Sequence, residues 1–224
     1  GTKADYLISE LDQAGKQFTL HGQRYPMPLD LPYMIYNEAA AIAVARDLIG
    51  LEAAAIAEAL ESFTNIAGRY EVFHRGSKTL KSLRIKQENP ETLQNVINVI
   101  ASDPEPKLVV LALLPVEDFP PYYLNSAYLL SCNVERMLAT PYEGIYHVGE
   151  AVAHDTRRFF EYLGVQDERN HLPTNAIEPL LEALDQEACD NIYIVPSVNF
   201  YRQMVDQVKQ GGLTSPCPDR LRNY

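Results

Sequence analysis

The stretch KLVVLALLP (107–115) decides the fold, because its apolar residues form a continuous run that is bounded by prolines. A strand that is half exposed alternates between apolar and polar residues, whereas a parallel strand covered on both faces is apolar throughout. The stretch therefore predicts a strand buried between two layers. Four further segments have strand character: YEVFHRG (70–76), KSLRIKQ (81–87), GIYHVG (144–149) and NIYIVPS (191–197).

Helical patterns follow these strands. The segment NPETLQNVINVI (89–100) carries apolar residues at helical spacing, namely Leu93, Val96, Ile97 and Ile100. Helices are also predicted for 121–131, 150–164, 176–188 and 198–210. Strands that alternate with helices predict an α/β fold, with a Rossmann-like, mostly parallel sheet that has helices on both faces.

The first third of the chain has a different pattern. QFTLHG (17–22) and the segment near YPMPLDL (25–31) resemble an antiparallel hairpin with GQR (22–24) between them. Two alanine-rich helices follow at 36–50 and 51–63. These helices have few polar positions, so they are expected to form a buried pair. The change of pattern near 66–70 predicts one domain at 1–67 and a second at 68–212. The tail, 213–224, is expected to be loosely ordered and flexible.

Composition excludes several classes of protein. A net charge of −11 argues against binding of nucleic acid by bulk attraction. No apolar run reaches the ~20 residues of a membrane span. Three isolated cysteines without a C-x-x-C pair favour a reducing compartment, with the cytoplasm as the default. The histidines show no zinc-binding spacing, so no metal site is predicted.

Ligands of a parallel α/β sheet bind at the carboxyl ends of its strands. The polar loops at 86–90, 115–119 and 147–151 are therefore candidate rims of one cleft, although loops are polar in any case. No G-x-x-x-x-G-K-[ST] or G-x-G-x-x-G motif is present, so the chain carries no phosphate-binding loop of its own. Arg69, in GRYE at the domain boundary, is placed to reach a phosphate with its planar fork of donors.

Other polar residues favour structural roles. His147 falls on a strand and His154 on the next helix, where most histidines are structural or exposed. Arg157 and Arg158 are expected to be solvated or to pair with nearby acids such as Glu161. Cys132 is a weak candidate for a catalytic thiol, because no base is assignable near it in the sequence.

The order of these motifs resembles that of the Mur ligases, an ATP-dependent amide-forming family, and within it the MurT type. The matching segments run from about residue 4 to 210: YNEAAA (36–41), GRYE (68–71), ENP (88–90), DTRRFFEYLG (155–164) and IYIVPS (192–197). The resemblance implies that residues 1–67 end a central ATPase domain and that 68–212 form the C-terminal domain. The phosphate-binding loop would then lie upstream of this chain.

The family's mechanism implies ATP and Mg in the full-length protein, with neither held tightly by this fragment. Asn37 matches the asparagine that meets the adenine, and Arg69 matches an arginine that approaches the nucleotide. Asn89 belongs to the loop that closes over the nucleotide, with Lys86 as its nearby cation. Asn37 as a helix N-cap and Arg69 as a boundary salt bridge are the structural alternatives.

The MurT type also implies a glutamine amidotransferase subunit as partner and an anionic cell-wall precursor as substrate. Here the chain departs from that type: Glu88 precedes N-P, and the D-x-S-W-x-[WY]-D motif is absent from EDFPPYYLNSAYLLSC (117–132). Asp118 is a weak catalytic candidate in that region. Two alternatives stay open: a non-catalytic module that docks a partner, and a freestanding Rossmann-like domain that binds a metabolite.

Overall fold

The computed structural model describes residues 5–12, 15–28, 31, 34–63, 70–84, 90–114, 125–166 and 170–223. The chain divides into two compact units, Gly1–Ile66 and Ala67–Tyr224, which we call the first and the second unit. Their assignment to the central and C-terminal domains of a ligase remains a prediction. Within the described ranges, no helix is long and apolar enough to cross a membrane.

The first unit contains a three-stranded antiparallel sheet and two helices. The strands β1 (Ile8–Asp12), β2 (Gln17–Leu20) and β3 (Gln23–Pro26) lie in that order. The predicted hairpin is confirmed, but its turn lies earlier than the predicted GQR, because Gln23 and Arg24 already belong to β3. His21 and Gly22 connect the strands with φ of 50° and 76°, as a tight two-residue turn requires. The helices are α1 (Ile35–Asp47) and α2 (Ala53–Glu61).

The prediction that these two helices form a buried pair is wrong within the described residues. Only Ile35, Glu38 and Ile42 of α1 and Ile56 of α2 are buried. They belong to the side of each helix that packs with the small sheet, through Phe18, Tyr25 and their neighbours. The other side is exposed, and Tyr36 and Leu48 have 72% and 80% of their surface accessible.

The second unit contains a six-stranded sheet, so the predicted fold class is confirmed. Its strands are β4 (Tyr70–Arg75), β5 (Lys78–Leu83), β6 (Leu108–Ala112), β7 (Gly144–Val148), β8 (His171–Leu172) and β9 (Asn191–Pro196). They lie in the order β4-β5-β9-β6-β7-β8. Strands β5 to β9 are parallel to their neighbours, and the edge strand β4 pairs antiparallel with β5.

Both faces of this sheet are covered. The helices are α3 (Pro90–Ser102), α4 (Glu135–Leu138), α5 (Ala153–Tyr162), α6 (Glu178–Asp185) and α7 (Val198–Gln210). Residues of α6 and α7 pack in one cluster with Leu108, Val110 and Ala112 of β6. The alternate residues Val109 and Leu111 are buried on the opposite face, where α5 contacts β6 and β7.

Two short elements and one helix type differ from the sequence prediction. Strand β8 and helix α4 span two and four residues, which is too short for a periodic pattern. The described part of the predicted helix at 121–131 is a 3₁₀-helix, Asn125–Ser131. A 3₁₀-helix also spans Pro218–Asn223 in the tail.

The tail, which the sequence predicts to be loosely ordered, carries two buried leucines. Leu213 and Leu221 join the cluster formed by α6, α7 and the sheet. Thr214 also makes a backbone bridge to His74 of β4, with N–H···O distances of 2.8 and 2.9 Å in the two directions. The tail thus adds apolar contacts to the second unit.

Candidate functional site

The carboxyl edge of the six-stranded sheet is the first place to look for a ligand. Strands β5 and β9 are neighbours, yet the chain leaves β5 for α3 on one face and leaves β9 for α7 on the other. Ligands of parallel α/β sheets bind where neighbouring connections diverge in this way. The site is therefore expected around the ends of β5, β9 and β6.

Helix α7 starts at this edge with a well-formed N-cap. Ser197 is buried, its N–H donates to the carbonyl of Ala112 at 2.8 Å, and its Oγ accepts from the Phe200 N–H at 3.3 Å. The cap satisfies one of the free N–H groups of the first turn and ties the helix to the end of β6. A helix of 13 residues presents the positive end of its dipole here.

Arg84 adds a cation to the same edge. It follows β5 directly, and its guanidinium carbon lies 5.4 Å from the centre of the Tyr201 ring, in the second turn of α7. The Tyr201 ring is buried and packs edge-on against Phe73 of β4, so it gives the arginine a fixed surface. A cation beside a helix N-terminus suits a phosphate or carboxylate group.

The predicted rim at 147–151 is a tightly built turn. Gly149 has φ of 130°, and a Cβ atom there would lie 2.7 Å from Val152 Cγ2 and 2.8 Å from Leu114 Cδ2. The N–H of Glu150 donates to Asn175 Oδ1 at 3.1 Å, and Gln203 of α7 donates to the Asn175 carbonyl at 2.8 Å. Asn175 and Gln203 thus connect this loop to α7.

Asn37, the predicted adenine contact, lies in the first turn of α1 and is exposed. Its alternative role as a helix N-cap is wrong, because the N-cap residue is Met34 and no side chain caps this helix. Its Nδ2 lies 3.5 Å from Met34 Sδ, a weak hydrogen bond at most. Its amide therefore remains accessible to a ligand in the first unit.

Four further candidates lie outside the described residues: Arg69, Lys86, Asn89 and Asp118. Their roles stay predictions. The helix that follows Asn89 is described, since α3 starts at Pro90 and buries the predicted residues Leu93, Val96, Ile97 and Ile100. The prediction that this helix packs through those positions is confirmed.

His147 and His154 have the structural and exposed positions that are predicted for them. His147 is buried, its Nδ1 lies 3.0 Å from Thr156 Oγ1, and its ring contacts Phe160. His154 is exposed. Among the described residues, no group of three or more histidine, cysteine, aspartate or glutamate side chains is arranged to hold a metal ion.

The predicted arginine pair and the cysteine are equally structural. Arg157 Nε and Arg158 Nη1 lie 2.8 and 3.2 Å from the Glu161 carboxylate, as expected for neighbours on a helix. Cys132 is buried, and burial raises the pKa of its thiol. A raised pKa disfavours the thiolate, which is the nucleophilic form, so the structure gives no support to a catalytic role.

A polar network that sequence reasoning missed lies at the opposite, amino edge of the sheet. Asp103, just after α3, accepts hydrogen bonds from Lys81, Asn191 and Tyr193 at 3.2, 3.1 and 2.8 Å. Burial alone would raise the pKa of Asp103, but the Glu105 N–H and these side chains hold it well below its usual range. The three segments involved, β5, the end of α3 and β9, are distant in sequence, so no local pattern indicates the network.

This amino-edge network is explained by packing. Lys107 is fully buried, and its ammonium donates to the Asp103 carbonyl and to Thr140 Oγ1. Burial lowers the pKa of Lys107, and the nearby Asp103 carboxylate opposes that effect. A cavity of about 800 Å³ lies beside the network. The network pairs its own charges and connects the end of α3 to β5, to β9 and to the start of β6. It therefore stabilises the packing of these elements.

The described residues thus define an α/β protein whose ligand edge is suited to an anion. The chain is 26% identical over 195 residues to the lipid II isoglutaminyl synthase (glutamine-hydrolyzing) subunit MurT of Streptococcus pneumoniae (strain ATCC BAA-255 / R6). The alignment covers 85% of this chain and 42% of that protein, so the chain spans less than half of the relative's length. This similarity supports a MurT-like relationship. No protein-family model matches the chain.

Proposed function

We propose that this chain is the C-terminal part of a Mur-type, ATP-dependent amide ligase. The observation that carries the proposal is the similarity to MurT along 85% of the chain. The order of YNEAAA, GRYE, ENP and the final strand agrees with it. The α/β fold and the cationic carboxyl edge of the second unit are compatible with the same function.

In this proposal the reaction has two steps. The γ-phosphoryl group of ATP moves to a carboxylate oxygen of the acceptor, which releases ADP and leaves an acyl phosphate. Ammonia or an amine then attacks the acyl carbon and expels phosphate as the amide bond forms. Such a reaction needs positioning and stabilisation of phosphoryl charge more than covalent catalysis by the protein.

The proposed roles of the nucleotide-binding residues follow from the resemblance to the Mur ligases. Asn37 offers an exposed amide for the adenine, and Arg69 together with Lys86 and Asn89 approaches the phosphates. Arg84 and the start of α7 provide a second anion-binding subsite at the carboxyl edge, suited to a carboxylate of the acceptor. Asp118 is proposed to act near the attacking amine.

The relative's name supplies the proposed substrate and partner. It describes a subunit of a synthase that hydrolyses glutamine and produces an isoglutaminyl form of lipid II. We therefore propose amidation of a peptidoglycan precursor, with ammonia supplied by a glutaminase subunit. We propose the cytoplasm as the compartment, because the proposed reaction needs both ATP and a cell-wall precursor.

The surface of the first unit supports membership of a larger protein. Helix α1 exposes a row of apolar side chains at four-residue spacing, Tyr36, Ala40 and Val44, which Leu48 continues just after the helix. Exposed apolar patches mark surfaces that bind other protein segments. We propose that further segments of the ligase cover this face.

The test uses the full-length protein together with the proposed glutaminase subunit. ATP-dependent amidation of lipid II should be lost in Arg69→Ala and strongly reduced in Asn37→Ala, because both remove a nucleotide contact. Arg24→Ala is the matched control, since the Arg24 side chain is exposed and forms, among the described residues, a long 3.7 Å ion pair with Asp12. Equal turnover in all three variants contradicts the proposal.

One observation favours a second candidate, a non-catalytic docking module. The segment 117–132 lacks the D-x-S-W-x-[WY]-D motif of the MurT type. A docking module would keep its partner in both variants and would show no ATP-dependent amidation in the unmodified protein. A ligase requires that amidation, so the same assay separates the two candidates.

A further inference from the structure

Glu38 is an acid buried inside the first unit. Its residue surface is 6% exposed, and neither carboxylate oxygen has a hydrogen-bond partner. It shares the inward side of α1 with Ile35 and Ile42, which belong to the apolar cluster of this unit.

Among the residues that the structure describes, none donates a hydrogen bond to the Glu38 carboxylate. From the elements packed around it, β2 contributes no charged side chain, and β3 contributes buried Tyr25, whose hydroxyl also has no hydrogen-bond partner. Among the described residues of the unit, the remaining charged side chains are exposed or lie at the far end of α1: Asp5, Glu10, Asp12, Lys16, Arg24, Arg46, Asp47, Glu52, Glu58 and Glu61. Burial alone raises the pKa of Glu38, to about 7.

We propose that Glu38 makes the packing of α1 dependent on a proton. The helix packs against the small sheet while the carboxyl group is protonated, because a neutral acid is far less costly to bury than a carboxylate. When the group ionises, the charge favours hydration, and α1 loosens from the unit. Asn37 is the preceding residue, so under the proposed function this loosening would also weaken nucleotide binding.

The direction with pH follows from linkage. The folded state binds the proton more tightly than the unfolded chain, whose glutamate titrates near 4.5. The first unit is therefore most stable below pH 4.5, loses stability as the pH rises towards 7, and changes little above that. From about pH 5 to about pH 8 the opening equilibrium of α1 should rise roughly 70-fold.

Hydrogen exchange of the α1 amides in the intact 224-residue chain measures this opening without any nucleotide. The wild type is compared with Glu38→Gln at each pH, so that the intrinsic pH dependence of exchange cancels. The ratio of their opening equilibria should rise by a factor of tens across this range. Glu58→Gln, an exposed acid of α2, is the matched control and should leave the wild-type profile unchanged.

Glu38→Ala provides a second test, because alanine removes the carboxyl group without placing the side-chain amide of glutamine at the same buried position. Like Glu38→Gln, it should show α1 protection that is independent of pH apart from intrinsic exchange, and it should be better protected than the wild type at pH 8. A wild-type profile parallel to that of either neutral variant overturns the proposal. Since the readout is local opening in the free chain, this result leaves the ligase proposal untouched.

Discussion

The turn at Gly149 tests the account of the carboxyl edge most simply. Gly149→Ala places a methyl group 2.7 Å from Val152 Cγ2 and 2.8 Å from Leu114 Cδ2, at a backbone φ of 130°. Both neighbours are buried, so neither can move away easily. The backbone conformation should cost about 1–3 kcal/mol and the overpacking a further 1–3 kcal/mol. The expected loss of stability is therefore about 2–6 kcal/mol.

Gly76→Ala is the matched control for this substitution. Gly76 also has a positive φ, 58°, but a Cβ atom there meets nothing within 4 Å. Only the backbone term remains, about 1–2 kcal/mol. Urea denaturation followed by circular dichroism gives the free energy of unfolding for both variants. If Gly149→Ala loses no more stability than Gly76→Ala, the tight packing assigned to this turn is wrong.

Three further predictions concern the second unit and the cysteines. Asp103→Asn should lower the free energy of unfolding by about 2 kcal/mol, because Lys81 loses its charged partner. In the wild type, the stabilisation from Asp103 should be present above its ordinary pKa of 3.8 and be lost as the pH falls below that value. Urea titrations at several pH values should show this loss of stability in the wild type and not in the variant. Cys132 should react with a thiol reagent at least tenfold more slowly than Cys217, because burial raises its pKa; equal rates by mass spectrometry contradict this.

The sequence predicts the buried layers of the second unit well, for a physical reason. KLVVLALLP has one stable environment, a strand covered on both faces, and the helical spacing of Leu93, Val96, Ile97 and Ile100 defines one buried side. The alanine-rich helices of the first unit carry no such signal, because small apolar residues lie on every side. The structure therefore decides which side is buried, and the predicted burial of the pair was wrong.

The candidate site was predictable only in part. The turn at Gly149 lies in one of the predicted rims, since the end of a parallel strand locates the ligand edge. Arg84 was missed because it is one of three cations in KSLRIKQ, with Lys81 and Lys86, and no sequence pattern distinguishes it. Its position over Tyr201 arises only when α7 packs on the sheet. Asn37 is exposed as a ligand contact requires, while the other predicted nucleotide contacts still depend on the resemblance.

The transfer of oxygen-18 from the acceptor carboxylate tests the central claim most directly. The full-length protein and its glutaminase subunit are incubated with ATP, glutamine and an acceptor labelled at the reacting carboxylate. An acyl phosphate intermediate passes one labelled oxygen to phosphate, so mass spectrometry should find labelled phosphate and amide product in equal amounts. Amide that forms without label in the phosphate, or no ATP-dependent amide at all, would contradict the ligase account.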